Sequence, residues 1–163
     1  MRRLLGCGGI GFVILLGACT APASPQTGSI TACSNSPAHR AYVVVEHMSG
    51  ALVQRCVGFS GETIDGQALM DQSGVEYQAR SVSSGKVVCQ VDGEPAQYTE
   101  CFPQNRPYWA LFLDAGGRWS NARGGFTDLQ LHDGDAIGWH YVQATDAAPA
   151  PPPRSDPCPS SPK

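Results

Sequence analysis

Residues 108–142, YWALFLDAGGRWSNARGGFTDLQLHDGDAIGWHYV, carry the pattern that decides the fold. Residues 108–113 are apolar on both faces, which predicts a strand buried on both sides. Residues 129–141 alternate between apolar and polar or small residues, and the tetrapeptide at 133–136 interrupts them as a tight turn. The glycine-broken residues 114–128 are predicted to be a loop. We therefore expect a strand, a glycine-rich loop and a closing hairpin.

The sequence before residue 108 predicts a hairpin, one short helix and two further strands. Runs that are rich in β-branched residues or weakly alternating predict strands at residues 41–46, 51–57, 76–82 and 86–91. The helix is predicted within residues 62–73, with Thr63 as its N-cap and Gly74 in the left-handed position that ends it. This order predicts an α+β fold in which one helix packs on a mixed sheet.

The first 18 residues have the features of a bacterial export signal. Two arginines precede an apolar run that is too short and too rich in glycine for a membrane span. The run ends in Leu16-Gly-Ala-Cys19, which resembles a lipobox and implies that residues 1–18 are removed and Cys19 is acylated. The alternative is ordinary cleavage near Ala21 or Ala23.

The rest of the chain divides by composition into a tether, a domain and a tail. Residues 19–37 lack periodicity and predict a flexible tether, residues 38–145 a folded domain, and residues 146–163 a disordered proline-rich tail. The net charge is −3, and loss of the two signal arginines makes it −5. This acidic balance argues against nucleic acid as a partner and against electrostatic attachment to anionic lipid.

The cysteines of an exported chain predict disulfide bonds. Spacing favours a bond between Cys89 and Cys101 across a short turn, and then one between Cys33 and Cys56. Cys158, in the proline-rich tail, is left over. No Cys-x-x-Cys pair is present, which weakens zinc and thioredoxin-like interpretations.

The order of the predicted elements resembles the β-grasp domain at the C-terminus of transcobalamin and intrinsic factor, which also occurs alone in secreted bacterial proteins. The resemblance is carried by residues 43–45, 68–69, 74–75, 88–93 and 108–109, and by Leu131, Gly134, Asp135, Trp139 and Tyr141. It spans residues 41–142. It implies a β-grasp-like fold that binds a ligand, with a corrinoid as the first candidate.

No spacing in the chain matches a catalytic constellation, so we do not expect an enzyme. The segment Gly58-Phe-Ser-Gly61 lacks the spacing of a nucleophile elbow. His132 and His140 lie near Asp133 and Asp135 and could ligate a metal. A turn whose carboxylates bond the backbone accounts for the same aspartates. We favour the turn, and predict neither a metal nor a cofactor.

The aromatic residues supply the candidate binding site. Trp109 and Trp139 are predicted to be core. Trp119 lies in the predicted loop between two arginines, where it could bind a flat or anionic ligand or a partner protein, or could fold back over the sheet. Both alternatives stay open. The candidate ligand-binding residues are Tyr108, Arg118, Trp119 and Arg123.

These observations predict a lipoprotein on the extracytoplasmic face of the cell membrane, held there by the lipid on Cys19. Its expected role is that of a non-catalytic binding module for a small ligand, with a corrinoid-like molecule as one candidate. The alternative is an envelope module that binds another protein or has a structural role, with no small-molecule ligand.

Overall fold

The computed structural model describes residues 38–83 and 85–155. In these residues the elements are β1 His39–Glu46, β2 Leu52–Phe59, β3 Ile64–Asp65, α1 Gly66–Ser73, β4 Tyr77–Val82, β5 Gly85–Val91, β6 Tyr108–Ala115, β7 Arg118–Asn121, a 3₁₀ turn Phe126–Asp128, β8 Gln130–Leu131 and β9 Ala136–Val142. No helix of the described part is both long and apolar enough to cross a membrane.

A five-stranded mixed sheet organises the fold. Its strand order is β2-β1-β9-β6-β7, in which β1 and β9 run parallel and every other neighbouring pair is antiparallel. The helix packs on one face of this sheet. The predicted combination of a mixed sheet and one α-helix is therefore confirmed for the described residues.

The helix ends where the sequence predicted, but its N-cap is a different residue. Gly74 has φ 72° and ends α1 in the left-handed conformation. At the other end, Asp65 Oδ1 accepts the Ala68 backbone N–H at 2.8 Å. The prediction of Thr63 as N-cap is wrong, because the Thr63 hydroxyl donates to Gln130 Oε1 instead.

The helix is stabilised mainly by burial. Leu69 and Met70 are fully buried against the sheet, where Met70 Sδ accepts the indole N–H of Trp139 at 3.3 Å. Burying each of these side chains contributes about 1.5–3 kcal/mol. That gain exceeds the roughly 1 kcal/mol that Gly66 costs in helix propensity. Trp109 and Trp139 are both buried, which confirms their prediction as core.

The predicted closing hairpin is wrong. Gln130–Leu131 pairs with Ile64–Asp65 in a separate two-stranded sheet, whereas β9 pairs with β1 and β6. The side chain of Asp135, the last residue of the turn between β8 and β9, holds this turn. The Asp135 carboxylate accepts the backbone N–H groups of His132 and Gly116, at 2.9 and 3.1 Å. These bonds direct the chain away from β8 and into the centre of the main sheet.

Part of the predicted glycine-rich loop is a strand. Gly116 and Gly117 both have positive φ, 61° and 77°, which suits a two-residue turn between twisted antiparallel strands. Arg118–Asn121 therefore folds back as β7 along the second half of β6.

The disulfide between Cys89 and Cys101 is confirmed. Cys56 is also disulfide-bonded. Its predicted partner Cys33 lies outside the described residues, as do the predicted signal, the lipidated Cys19 and the tether.

Residues 149–155 pack against the sheet, although the sequence predicted disorder from residue 146 onward. Pro152 is fully buried, Arg154 pairs with Asp114, and Ser155 bonds Gln54. Composition failed here because prolines and one arginine find partners on the sheet that a search for periodicity does not reveal. The remaining tail, residues 156–163, lies outside the described part.

Candidate ligand-binding cleft

An apolar cleft of about 350 Å³ opens between β5 and β6. Aromatic rings, aliphatic side chains and glycine backbone form its walls. The lining residues are Lys86, Val87, Val88, Phe102, Tyr108, Trp109, Ala110, Leu111, Asn121, Ala122, Gly124, Gly125, Trp139 and Pro149.

The cleft exists because β6 has a second strand neighbour along only half its length. In the described part of the chain, β7 pairs with β6 from Phe112 to Ala115. The last backbone bond between the two segments joins the Ala122 N–H to the Leu111 carbonyl at 3.0 Å. Beyond it, the chain at Gly124 and Gly125 turns away. The first half of β6 then faces β5 across a gap.

Two tryptophans form a rigid floor. The Trp109 indole N–H donates to the Glu94 carbonyl at 2.9 Å, and its ring lies 4.9 Å from the ring of Tyr141. The Trp139 ring contacts Phe126 edge-on, with 5.9 Å between the ring centres. With both indole N–H groups bonded and both rings packed, the floor presents apolar surface in fixed positions.

The lip of the cleft is aromatic and accessible. Phe102 is 65% exposed, and its ring centre lies 4.6 Å from that of Tyr108. Phe102 belongs to the loop between β5 and β6, next to the disulfide-bonded Cys101. The exposed Phe102 ring beside the disulfide-bonded turn is therefore positioned to contact a ligand in the cleft.

Polar groups are sparse at this site. Lys86, on one wall, donates from Nζ to Gln67 Oε1 at 2.9 Å, and Asn121 lies exposed at the rim. No carboxylate, imidazole or thiol is found among the lining residues. Lys86 and Tyr108 are the lining residues whose side chains can ionise.

Raised pKa values occur elsewhere in the described domain. Burial, followed by the hydrogen bond to Asp71, raises the pKa of Tyr77 to about 12. Burial and then the charge of Glu94 raise the pKa of Tyr141. Neither tyrosine lines the cleft, and both shifts favour the neutral phenol.

The four residues predicted to bind a ligand do not come together. Tyr108 lines the cleft. Trp119 is half-buried on the opposite face of the sheet, where its ring lies over Gly138 and borders another cavity of about 430 Å³. Arg118 and Arg123 are exposed and line neither of these two spaces.

The sequence did not identify most of the cleft. The sequence predicts Lys86, Val87 and Val88 only as part of a strand and makes no prediction for Phe102. Their approach to β6 depends on tertiary packing, for which the sequence carries no local signal. Gly124 and Gly125 lie in the predicted glycine-rich loop and line the cleft, where the absence of a side chain lets backbone approach a ligand.

The histidine and aspartate residues near β9 have separate partners. His132 Nδ1 lies 3.6 Å from Asp135 Oδ2, whereas His140 lies against Glu46 and the carbonyl of Ala150. Asp133 accepts the backbone N–H of Arg40 at 2.7 Å. No group of three or more metal-ligating side chains is found in the described residues.

Comparisons with known proteins place few limits on the function. No protein-family model matches the chain, and no curated protein matches it. Among solved structures, the chain is similar to a "putative metal binding protein" from Ruminococcus gnavus, at 16% sequence identity and a TM-score of 0.47. The similarity covers 64% of this chain and 97% of that one. At this level it carries no argument about function.

Proposed function

We propose that this protein is a non-catalytic binding module that holds a small, flat and largely apolar ligand in the cleft between β5 and β6. The observation that carries the proposal is the cleft itself, with a fixed tryptophan floor, an exposed aromatic lip and few polar groups. Its volume of about 350 Å³ lies within the range of small-molecule sites.

The strand order supports assignment to the β-grasp class. A β1–β2 hairpin is followed by one helix, and the last strand, β9, then lies parallel beside β1 in the centre of the sheet. This arrangement supports the β-grasp-like fold that the resemblance to the transcobalamin C-terminal domain implies. A corrinoid exceeds what the cleft can enclose, so it would insert an edge only. We expect its affinity to be weaker than about micromolar, since little of its surface would be buried.

Anchoring to the membrane is the second part of the proposal. Leu16-Gly-Ala-Cys19 supports lipidation of Cys19, which would hold the module on the extracytoplasmic face of the cell membrane. Acyl chains on Cys19, when there are two or more, give stable attachment without a membrane-spanning helix.

The test uses 8-anilinonaphthalene-1-sulfonate, a flat apolar probe with one negative charge, and follows its fluorescence. We expect saturable binding at one site. Ala122→Trp should weaken it at least tenfold, because the added ring fills the cleft. The matched control, Ala51→Trp, places the same ring at an exposed turn and should leave binding unchanged. Phe102→Ala should weaken binding several-fold without changing the melting temperature, since Phe102 is 65% exposed.

Equal probe binding by wild type, Ala122→Trp and Ala51→Trp would contradict the cleft assignment. Cobalamin is tested separately by equilibrium dialysis. No retention at millimolar ligand would remove the corrinoid candidate and leave the flat-ligand proposal standing.

The first half of β6 supports a second candidate function, that of an envelope module that binds another protein. Residues 108–111 of β6 have no second strand neighbour among the described residues, and Phe102 is exposed beside them. A strand from a partner could add to this edge.

A further inference from the structure

The face of the sheet opposite α1, here called the outer face, carries its own apolar surface. Its side chains come from alternate positions of β1, β6 and β9 and from β7. They are Tyr42, Val44, Ala110, Phe112, Trp119, Ala136 and Val142. Residues 149–155, here called the strap, return along β9 and cover this face.

Gly138 on β9 leaves room for an apolar contact between the strap and the sheet. A Cβ added to Gly138 would lie 2.8 Å from Pro152 Cγ and 2.7 Å from Trp119 Cζ3. The absence of a side chain at Gly138 therefore leaves a slot that the proline ring fills beside the indole. Pro152 is fully buried in this slot. Aromatic walls around a proline are the recurring means by which grooves hold proline-rich segments.

A buried carboxylate, Asp114, binds Arg154 of the strap, which lies two residues after Pro152. Asp114 is 3% exposed, and its Oδ2 accepts Arg154 Nη1 at 2.6 Å. Arg154 Nη2 donates to the Gly134 carbonyl at 2.9 Å, and its guanidinium lies 4.5 Å from the centre of the Tyr42 ring. A buried acid requires a cation, and the planar donor fork with a stacked face matches arginine better than lysine.

Two further side chains hold the backbone of the strap rather than its side chains. His140 Nδ1 lies 2.8 Å from the Ala150 carbonyl oxygen. Gln54, which is 6% exposed, accepts the Ser155 N–H at 3.1 Å and donates to the Ser155 carbonyl at 3.4 Å. Such bonds hold an extended backbone whatever its sequence. Specificity for residue type therefore comes from the side-chain contacts of Pro152 and Arg154.

The strap is thus held by side chains of the sheet, as a bound peptide is. Residues 145–148, which lead to it, are exposed, and the turn at 143–146 is closed by one backbone bond, from Asp146 N to the Gln143 carbonyl. We propose that the outer face is a recognition groove for an extended segment of a partner protein with the pattern Pro-x-Arg. The strap is an intramolecular ligand of this kind.

Tethering makes the strap a strong competitor. A short linker gives a tethered segment an effective concentration on the order of millimolar. A partner segment enters the groove when it outcompetes the strap or when the strap is held elsewhere. The strap and a partner segment both need an arginine at this position, because each must pair with the buried Asp114.

The test uses the purified full chain and a peptide with the sequence of residues 148–155, APAPPPRS. Every protein variant carries Cys158→Ser, so that no disulfide of Cys158 holds the strap. Arg154→Glu places a second carboxylate against Asp114 and should empty the groove. We expect calorimetry to show that this variant binds the peptide, and that the unsubstituted strap blocks the same peptide. A peptide with Ala in place of Arg should bind at least about tenfold more weakly. Adding Asp114→Asn to the protein should cause a comparable loss.

A folded Arg154→Glu variant that binds neither peptide would overturn the proposal, and so would equal binding of the two peptides. Light scattering that shows dimers formed by exchange of straps would also overturn it, because the occupant would then be a second copy of the chain. Hydrogen exchange on the chain with its native strap gives an independent test. The Ser155 amide should exchange much faster than the β9 amides, because the strap opens without unfolding. Equal protection would mean that the strap is a fixed part of the fold.

Discussion

Replacing Gly66 by Ala should lower the free energy of unfolding, although helix propensity alone predicts that it would raise it. Gly66 is the first residue of α1 and is buried, and its N–H donates to the Leu129 carbonyl at 3.0 Å. A Cβ at this position would lie 2.0 Å from the Phe126 carbonyl oxygen and 3.3 Å from Ile137 Cδ1. The first of these neighbours is backbone, so no rotamer change can relieve the contact.

The expected loss follows from three terms. Ala in place of Gly in a helix gains about 1 kcal/mol. Relief of the overlap requires the helix to move more than 1 Å from the 3₁₀ turn, since ordinary contact begins at 3.4 Å. Such overpacking costs about 1–3 kcal/mol. The Gly66–Leu129 hydrogen bond, worth about 1 kcal/mol, is weakened by the same movement. The net effect is a destabilisation of about 2 kcal/mol.

Urea denaturation with intrinsic tryptophan fluorescence measures this change. The unfolding midpoint should fall while the slope stays constant. Gly74→Ala is the matched control, because an added Cβ there meets nothing within 4 Å and only the positive φ of 72° opposes it. It should cost about 1–2 kcal/mol from backbone strain alone. A Gly66→Ala variant as stable as wild type would refute the packing argument.

Three further predictions concern anchoring, the disulfide and one tyrosine. Cys19→Ala should move the protein from the membrane fraction to the medium, and unchanged fractionation would contradict lipidation. Replacing Cys89 and Cys101 together by Ser should lower the free energy of unfolding by roughly 3 kcal/mol, measured by urea denaturation, since the bond closes a loop of 12 residues. Tyr77 should titrate near pH 12 by near-ultraviolet absorbance, and Asp71→Asn should lower that pKa. Because the folded pKa exceeds the unfolded value, the stabilisation from Tyr77 is complete below pH 10 and is lost as the pH rises toward 12.

The parts of the fold that the sequence predicted have local causes. Gly74 ends the helix through its own left-handed φ, and the runs that became β1, β5 and β6 show their burial in composition. The Cys89–Cys101 bond follows from a short spacing around a turn. Each of these features depends on residues close together in the chain.

The parts that the sequence missed depend on distant contacts. Leu131 pairs with Ile64, and Pro152 is buried by Gly138 and Trp119, although neither pairing has a local pattern. The cleft was missed for the same reason, since β5 and β6 meet only in the folded chain. The sequence leaves Trp119 open between exposure and folding back over the sheet, and in the structure Trp119 packs on the sheet.

The cleft and the strap share one residue, which predicts coupling between the two sites. Pro149 begins the strap and also lines the cleft. Displacing the strap would remove this wall, so the Arg154→Glu variant should bind the fluorescent probe several-fold more weakly than wild type. Arg118→Ala is the control, since Arg118 is exposed and lines neither site.

Coupling of this kind is reciprocal, because a ligand that prefers the strapped state must also stabilise that state. Saturating probe should therefore slow hydrogen exchange at Ser155, whose N–H bonds Gln54 in the seated strap. It should also weaken competition by the APAPPPRS peptide. Equal probe affinity in wild type and Arg154→Glu would show that Pro149 contributes nothing to the cleft. A ligand in the cleft and a partner in the groove would then act independently, even though both sites are built on β6.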